Sequence, residues 1–182
     1  MQARDLAVLA AAAYKRKTGQ LRVLDIMAGS GVRGVRYMKQ AGADEVWSND
    51  MDTRNRGAML RNAHTALGAC CSTEDVPVAG LRGVATTLTQ APQADGVTAP
   101  ALRIARVSHF EAKRLLCAAM LEEDYYDVID CDMFGSDTLC IGPALDAVRF
   151  GGLLYLTGTD GFSSGGAWPR CGVHVHTRST VC

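Results

Sequence analysis

Strand-like and helix-like segments alternate along most of this chain, and that alternation narrows its fold more than any other feature. "RVLDIM" (22–27), "EVWSND" (45–50), "ALRIARVS" (101–108), "YDVIDCD" (126–132) and "GLLYLTGTD" (152–160) read as buried strands. Helix-forming segments lie between them: from the glycines at 29–34 to about Gly42, then 52–68, 111–123 and 142–150. Asp52 is a candidate N-cap and Gly68 a candidate stop for the second of these. Strand and helix in strict turn require crossover connections, so the expected fold is α/β, a doubly wound, mostly parallel sheet with helices on both faces. In such sheets ligands sit beyond the carboxyl ends of the strands. Here those ends carry Asp25, Asp50, the 108–111 segment, Asp132 and Asp160, so nearly every strand delivers an acid to one rim. Residues 69–100 break the alternation. They are rich in Ser, Thr, Gly and Pro without clear periodicity, and are expected to form a surface insertion.

A chain of 182 residues suits one domain with a sizeable core. Its 19 basic and 19 acidic residues cancel, which argues against a dedicated basic nucleic-acid module but leaves room for a local patch. The seven cysteines are odd in number and form no CxxC pair, the pattern of reduced intracellular thiols. The tail "CGVHVH" holds Cys171, His174 and His176 without a second ligand pair, so it reads as an unstructured tail and no metal is expected. No run approaches the ~20 apolar residues that span a bilayer, so no membrane partner is expected. "LAVLAAAA" (6–13) follows Asp5 and leads into "YKRK", which suits a helix packed on the core better than a signal peptide.

"GSGVRG" (29–34) satisfies GxGxxG between a strand and a helix, with Gly29 and Gly31 leading the loop. Asp50 ends the second strand, where an acid grips ribose hydroxyls. Together they admit a nicotinamide dinucleotide or S-adenosylmethionine (SAM). Asp25 favours SAM: an acid beside the loop is a poor neighbour for pyrophosphate and a good one for a sulfonium and an ammonium. Arg33 could then fork onto the methionyl carboxylate, while Arg36 reads as a solvated helix charge.

"VIDCDMFGSD" (128–137) sets Asp132 and Phe134 at the mouth of the fourth strand. Asp132 suits an exocyclic amine as hydrogen-bond acceptor, and Phe134 suits the base that carries it as a stacking partner. A bland reading, a helix-capping acid beside a core phenylalanine, would prevail without Asp25 and Asp50 on the same rim.

Five motifs in order, "LDIMAGSGVRGVRY", "VWSND", "HFEAKRLL", "YDVIDCDMFGS" and "GGLLYLTGTDG", resemble the tRNA (guanine-26-N2)-dimethyltransferase family, whose fourth-strand signature is Asp-Pro-Phe-Gly-Ser. "TDGFSSGG" (159–166) is most similar to the branch found in plants and algae. The resemblance runs from about Ala3 to Pro169, outside the insertion. It implies a Rossmann-like SAM-dependent methyltransferase domain at 1–169, with SAM as cofactor and tRNA as partner. It further implies SAM contacts at Arg4, Arg33, Asp50, Glu111 and Ala112, and Asp132 with Phe134 as the catalytic pair. Met133 replaces the family's proline, whose fixed φ shapes that loop. The 170–182 tail resembles nothing in the family, and the last strands and C-terminal tRNA-gripping domain are expected to be absent. The sheet should then be incomplete at its C-terminal strands, leaving the fifth strand an apolar open edge and the chain poorly stable. Two other readings compete: a non-catalytic SAM-fold or RNA-associated paralogue, and a nicotinamide-dependent oxidoreductase.

Overall fold

The strand that carries Asp25 lies near the centre of the sheet. A computed structural model describes residues 3–68, 71–90, 102–133, 138–158 and 172–177, with the backbone alone for 3, 4, 138 and 172–177. Its eight strands are β1 (Arg22–Asp25), β2 (Glu45–Asn49), β3 (Cys71–Pro77), β4 (Val84–Gln90), β5 (Arg103–Ser108), β6 (Tyr126–Met133), β7 (Val148–Gly158) and β8 (Gly172–Thr177). They form one sheet in the order β3-β4-β5-β2-β1-β6-β7-β8. From β5 through β7 the neighbours are parallel. The hairpin β3–β4 and the strand β8 join the two flanks antiparallel.

Helices cover both faces. Strand side chains alternate between the two: Val23, Val46, Val128 and Tyr155 face α1 (Ala3–Thr18), α2 (Val32–Gln40) and α3 (Arg56–Leu67). Leu24, Trp47, Ile129 and Leu154 face α4 (Ala112–Leu121) and α5 (Ile141–Ala147). The alanine run of α1 needs little to become helical. Asp5 in its first turn and Lys15, Arg16 and Lys17 in its last suit the helix dipole. Ala7, Val8 and Ala11 lie on its core side.

The glycine loop has a packing role as well as a conformational one. Gly29 and Gly31 take φ of 55° and 78°, the left-handed region open to glycine. Gly34 lets α2 close onto β2: a Cβ there would stand 2.6 Å from Ser48 Oγ and 3.3 Å from Val46 Cγ1. Gly34→Val is therefore expected to cost about 3 kcal/mol through overpacking, lowering Tm by roughly 6–12 °C in a thermal melt.

Three expectations change. Residues 69–100 are not simply a surface insertion, because 71–77 and 84–90 form a hairpin that extends the sheet. Periodicity missed β3 because six of its seven residues are exposed, as suits an edge strand that ends in proline and carries Glu74 and Asp75. The helix expected at 142–150 stops at Ala147. Val148 already pairs with Tyr126, and a register shift follows before Leu153 pairs with Val128. The tail is not wholly unstructured, and the fifth parallel strand is not an open edge: β8 pairs with it from Gly158↔Gly172 to Leu153↔Thr177. The strand was not expected because in "GVHVHT" only Val173 and Val175 alternate with the histidines, too short an apolar pattern to mark it.

Candidate active site

The sheet order reverses between β1 and β6: the chain moves outward from β1 through β2 to β5, then returns to β6 on the other side. Ligands favour such a switch point. Asp25 and Asp130 are partners across it in the β1–β6 register. Asp132 follows on β6, and the glycine loop lies above. A cleft of about 190 Å³ opens there, lined by Asp25, Met27, Gly29, Ser30, Arg33 and Asp132 among others.

Asp25 is 1% exposed, and neither carboxylate oxygen has a hydrogen-bond partner of normal geometry. Burial foremost, then Asp130, pushes its carboxyl well above the usual range. Arg33 and the Met27 backbone N–H pull the other way. A buried acid with two unused acceptor oxygens at a cleft is poised for a cationic group.

Arg33 is 8% exposed and does not reach into solvent. Its Nη1 donates to Asp130 Oδ1 at 2.5 Å and its Nη2 to Asp132 Oδ2. Burial works against its charge, but Asp130 foremost raises its pKa, with help from Asp25 and Asp132. Two donors are thus spent within the protein, leaving three of five N–H groups for another carboxylate. Asp130 also accepts from Tyr37 Oη at 2.5 Å. Burial still raises the Asp130 carboxyl above its ordinary value despite Arg33 and Tyr37. The acid expected to receive the amine, Asp132, accepts from Thr157 Oγ1 as well as from Arg33, and keeps a third of its side chain exposed.

Asp50 follows β2 and braces the loop. Its Oδ2 accepts from the Gly29 N–H at 2.7 Å, and its Oδ1 from Asp52 N and Asn55 Nδ2. One lone-pair site on Oδ2 remains open to a ribose hydroxyl. Glu111 is the N-cap of α4, accepting from Lys113 N at 3.0 Å and Arg114 N at 3.1 Å, and Ala112 opens that helix. Arg36, read as solvated, instead donates to Asp5 at 2.9 Å and ties α2 to α1. Met133 ends β6 opposite Gly158 with its side chain buried. The side chain of Arg4, the whole of Phe134, and Asp160 lie outside the described residues.

The structure therefore gathers Asp25, Gly29, Arg33 and Asp132 around one cleft and sets Asp50 against Gly29. Glu111 and Ala112 stand at the end of β5. Sequence reading gave no role to Asp130, Tyr37 or Thr157. The four-residue spacing of Arg33 and Tyr37 on one helix face was the available signal for that pair. His109, not counted as a site residue, approaches the Asp50 carbonyl with Nδ1 at 2.7 Å and leaves Nε2 buried without a partner. Among the described residues no cluster could hold a metal ion, and no helix is long and apolar enough to cross a membrane.

A parallel sheet reversing beside a glycine turn, with helices on both faces, is an architecture that SAM-dependent methyltransferases share with dinucleotide-binding domains, and the solved structures it matches are of the first kind. The chain superposes with TM-score 0.57 on such a protein from Agrobacterium tumefaciens, at 16% identity over 87% of this chain and 45% of that one. It superposes with TM-score 0.62 on Trm1 from Pyrococcus horikoshii, solved with S-adenosyl-L-methionine, at 23% identity over 87% and 36%. The family model for N2,N2-dimethylguanosine tRNA methyltransferase matches residues 1–180, and the chain belongs to that family. The tRNA (guanine(26)-N(2))-dimethyltransferase of Thermococcus kodakarensis is 29% identical over 157 residues, 86% of this chain and 35% of that protein. That of Pyrococcus horikoshii is 30% identical over 148 residues, 81% and 33%, and that of Mus musculus 32% over 141 residues, 77% and 16%. The chain thus spans about a third of the length of the first two relatives and less of the third.

Proposed function

We propose that this chain is the methyl-donor domain of an enzyme that transfers a methyl group from SAM to the exocyclic N2 of a guanine in tRNA. The observation that carries this reading is the buried, unpartnered Asp25 carboxylate in a cleft shared with Arg33 and Asp132. An acid left without donors suits the cationic methionyl end of SAM and repels pyrophosphate. The residues present therefore fit SAM. Asp25 would neutralise its positive end, the remaining Arg33 N–H groups would take its carboxylate, and Asp50 a ribose hydroxyl. Glu111 and Ala112 would border the adenine. When bound, SAM supplies an electrophilic methyl on a sulfonium.

An aromatic amine is a weak nucleophile because its lone pair is delocalised into the ring. Asp132 would align it and accept its proton as the N–C bond forms. Phe134 is proposed as the stacking platform for the base. This places the enzyme inside the cell, where tRNA is found. Met133 supports a second reading, donor binding without turnover, because it stands where the family carries proline.

Titration calorimetry with SAM, its demethylated product and NAD provides the test. The first two are expected to bind and NAD to give no heat, and NAD binding in their place would overturn the reading. Methyl-labelled SAM with unmodified tRNA then separates transfer from binding alone.

A further inference from the structure

Asp132 is gripped from two sides, and only one grip involves a residue expected at a cofactor. Thr157 lies on β7 directly opposite Asp132 in the β6–β7 register and is 4% exposed. Its hydroxyl donates to Asp132 Oδ1, while Arg33 Nη2 donates to Oδ2. Arg33 is itself clamped: Asp130 accepts from its Nη1, and Tyr37, one helical turn further along α2, donates to the other oxygen of Asp130. An ionised carboxylate offers about four lone-pair sites. Arg33 and Thr157 occupy one on each oxygen, which fixes the carboxylate plane and leaves one acceptor site per oxygen.

We propose that Thr157 is a positioning residue that aims the Asp132 carboxylate, working opposite Arg33, which Tyr37 and Asp130 hold in place. This rests on Asp132 receiving the amine. A carboxylate on a single-bond pivot can rotate away from an incoming N–H. Two donors on opposite oxygens prevent that, and misplacement by about 1 Å can cost on the order of a hundredfold in rate. The donors stand on β7 and α2, so the aim is set by the sheet and the helix packed on it.

Thr157→Val removes the hydroxyl at nearly constant shape, Thr157→Ser keeps it, and Tyr37→Phe loosens the opposite grip without touching β7. Crystal structures of the three variants, with steady-state kinetics on tRNA, form the test. In Thr157→Val the Asp132 carboxylate is expected to turn from its wild-type orientation, and kcat to fall about tenfold, the loss of one hydrogen bond to a charged group. Both KM values should stay within about twofold. Thr157→Ser should restore orientation and rate together, and Tyr37→Phe, which loosens Arg33, should lower kcat about threefold and raise the KM for SAM while leaving that for tRNA unchanged. An unmoved Asp132 in Thr157→Val overturns the proposal, as does a serine variant as slow as the valine one. If the wild-type chain transfers no methyl, the catalytic reading fails on its own, while the orientation of Asp132 in the variants still decides whether Thr157 positions it.

Discussion

Asp132→Asn is expected to slow methyl transfer by about 10²–10⁴-fold, the usual contribution of a positioned acid–base group, while leaving SAM affinity within a few-fold. The fold should tolerate the change. Asparagine is nearly isosteric, and its amide oxygen can turn to Arg33, the partner of Asp132 Oδ2. Its NH2 would then face Thr157, whose hydroxyl can reverse from donor to acceptor. What disappears is the capacity to take a proton from the attacking amine and to draw its lone pair into line. Asp132→Glu keeps the charge but moves it by one methylene, so it should recover only part of the rate. Single-turnover transfer of a labelled methyl, with donor binding measured separately by calorimetry, separates these effects. A variant as fast as wild type would remove Asp132 from the reaction.

The rim of acids was legible in the sequence because strand ends and glycine turns are local signals. "RVLDIM", "GSGVRG" and "EVWSND" sufficed to set Asp25, Gly29 and Asp50 at one end of a parallel sheet, and the structure has them there. The partners of Arg33 were not legible. Asp130 and Asp132 lie 97 and 99 residues along the chain from it, and no periodicity links a helix face to a distant strand. The expected role for Arg33, gripping the carboxylate of SAM, therefore has to share the guanidinium with two protein acids. Strands without a hydrophobic pattern were invisible for a related reason. β3 buries neither face, and β8 is recognisable through its pairing with β7, a contact that only the folded chain makes.

Asp25→Asn is expected to have opposite effects on stability and binding. In the wild type a fully buried carboxyl, unsatisfied at both oxygens and facing Asp130, is held well above its ordinary range. Its folded pKa therefore exceeds the unfolded value of about 3.9. Between those two values the native chain holds a proton that the unfolded chain has released. The stability contributed by that proton is full below the unfolded value and is lost as pH rises through the window. Asp130 shifts in the same direction, so the asparagine variant should show a shallower loss of Tm with rising pH, not a flat one. At neutral pH it should be more stable by about 2 kcal/mol, because the amide carries no charge for burial and Asp130 to oppose, or roughly 4–8 °C in Tm. SAM affinity should fall about a hundredfold, because a cation entering the cleft would lose the charge that balances it. Melting curves from pH 4 to 8 and calorimetric titrations on the same two proteins read both effects. The two belong together physically: the carboxylate is costly to the empty fold because its partner is meant to arrive with the ligand. A variant that is less stable and binds SAM normally would show that Asp25 serves the fold and not the cleft.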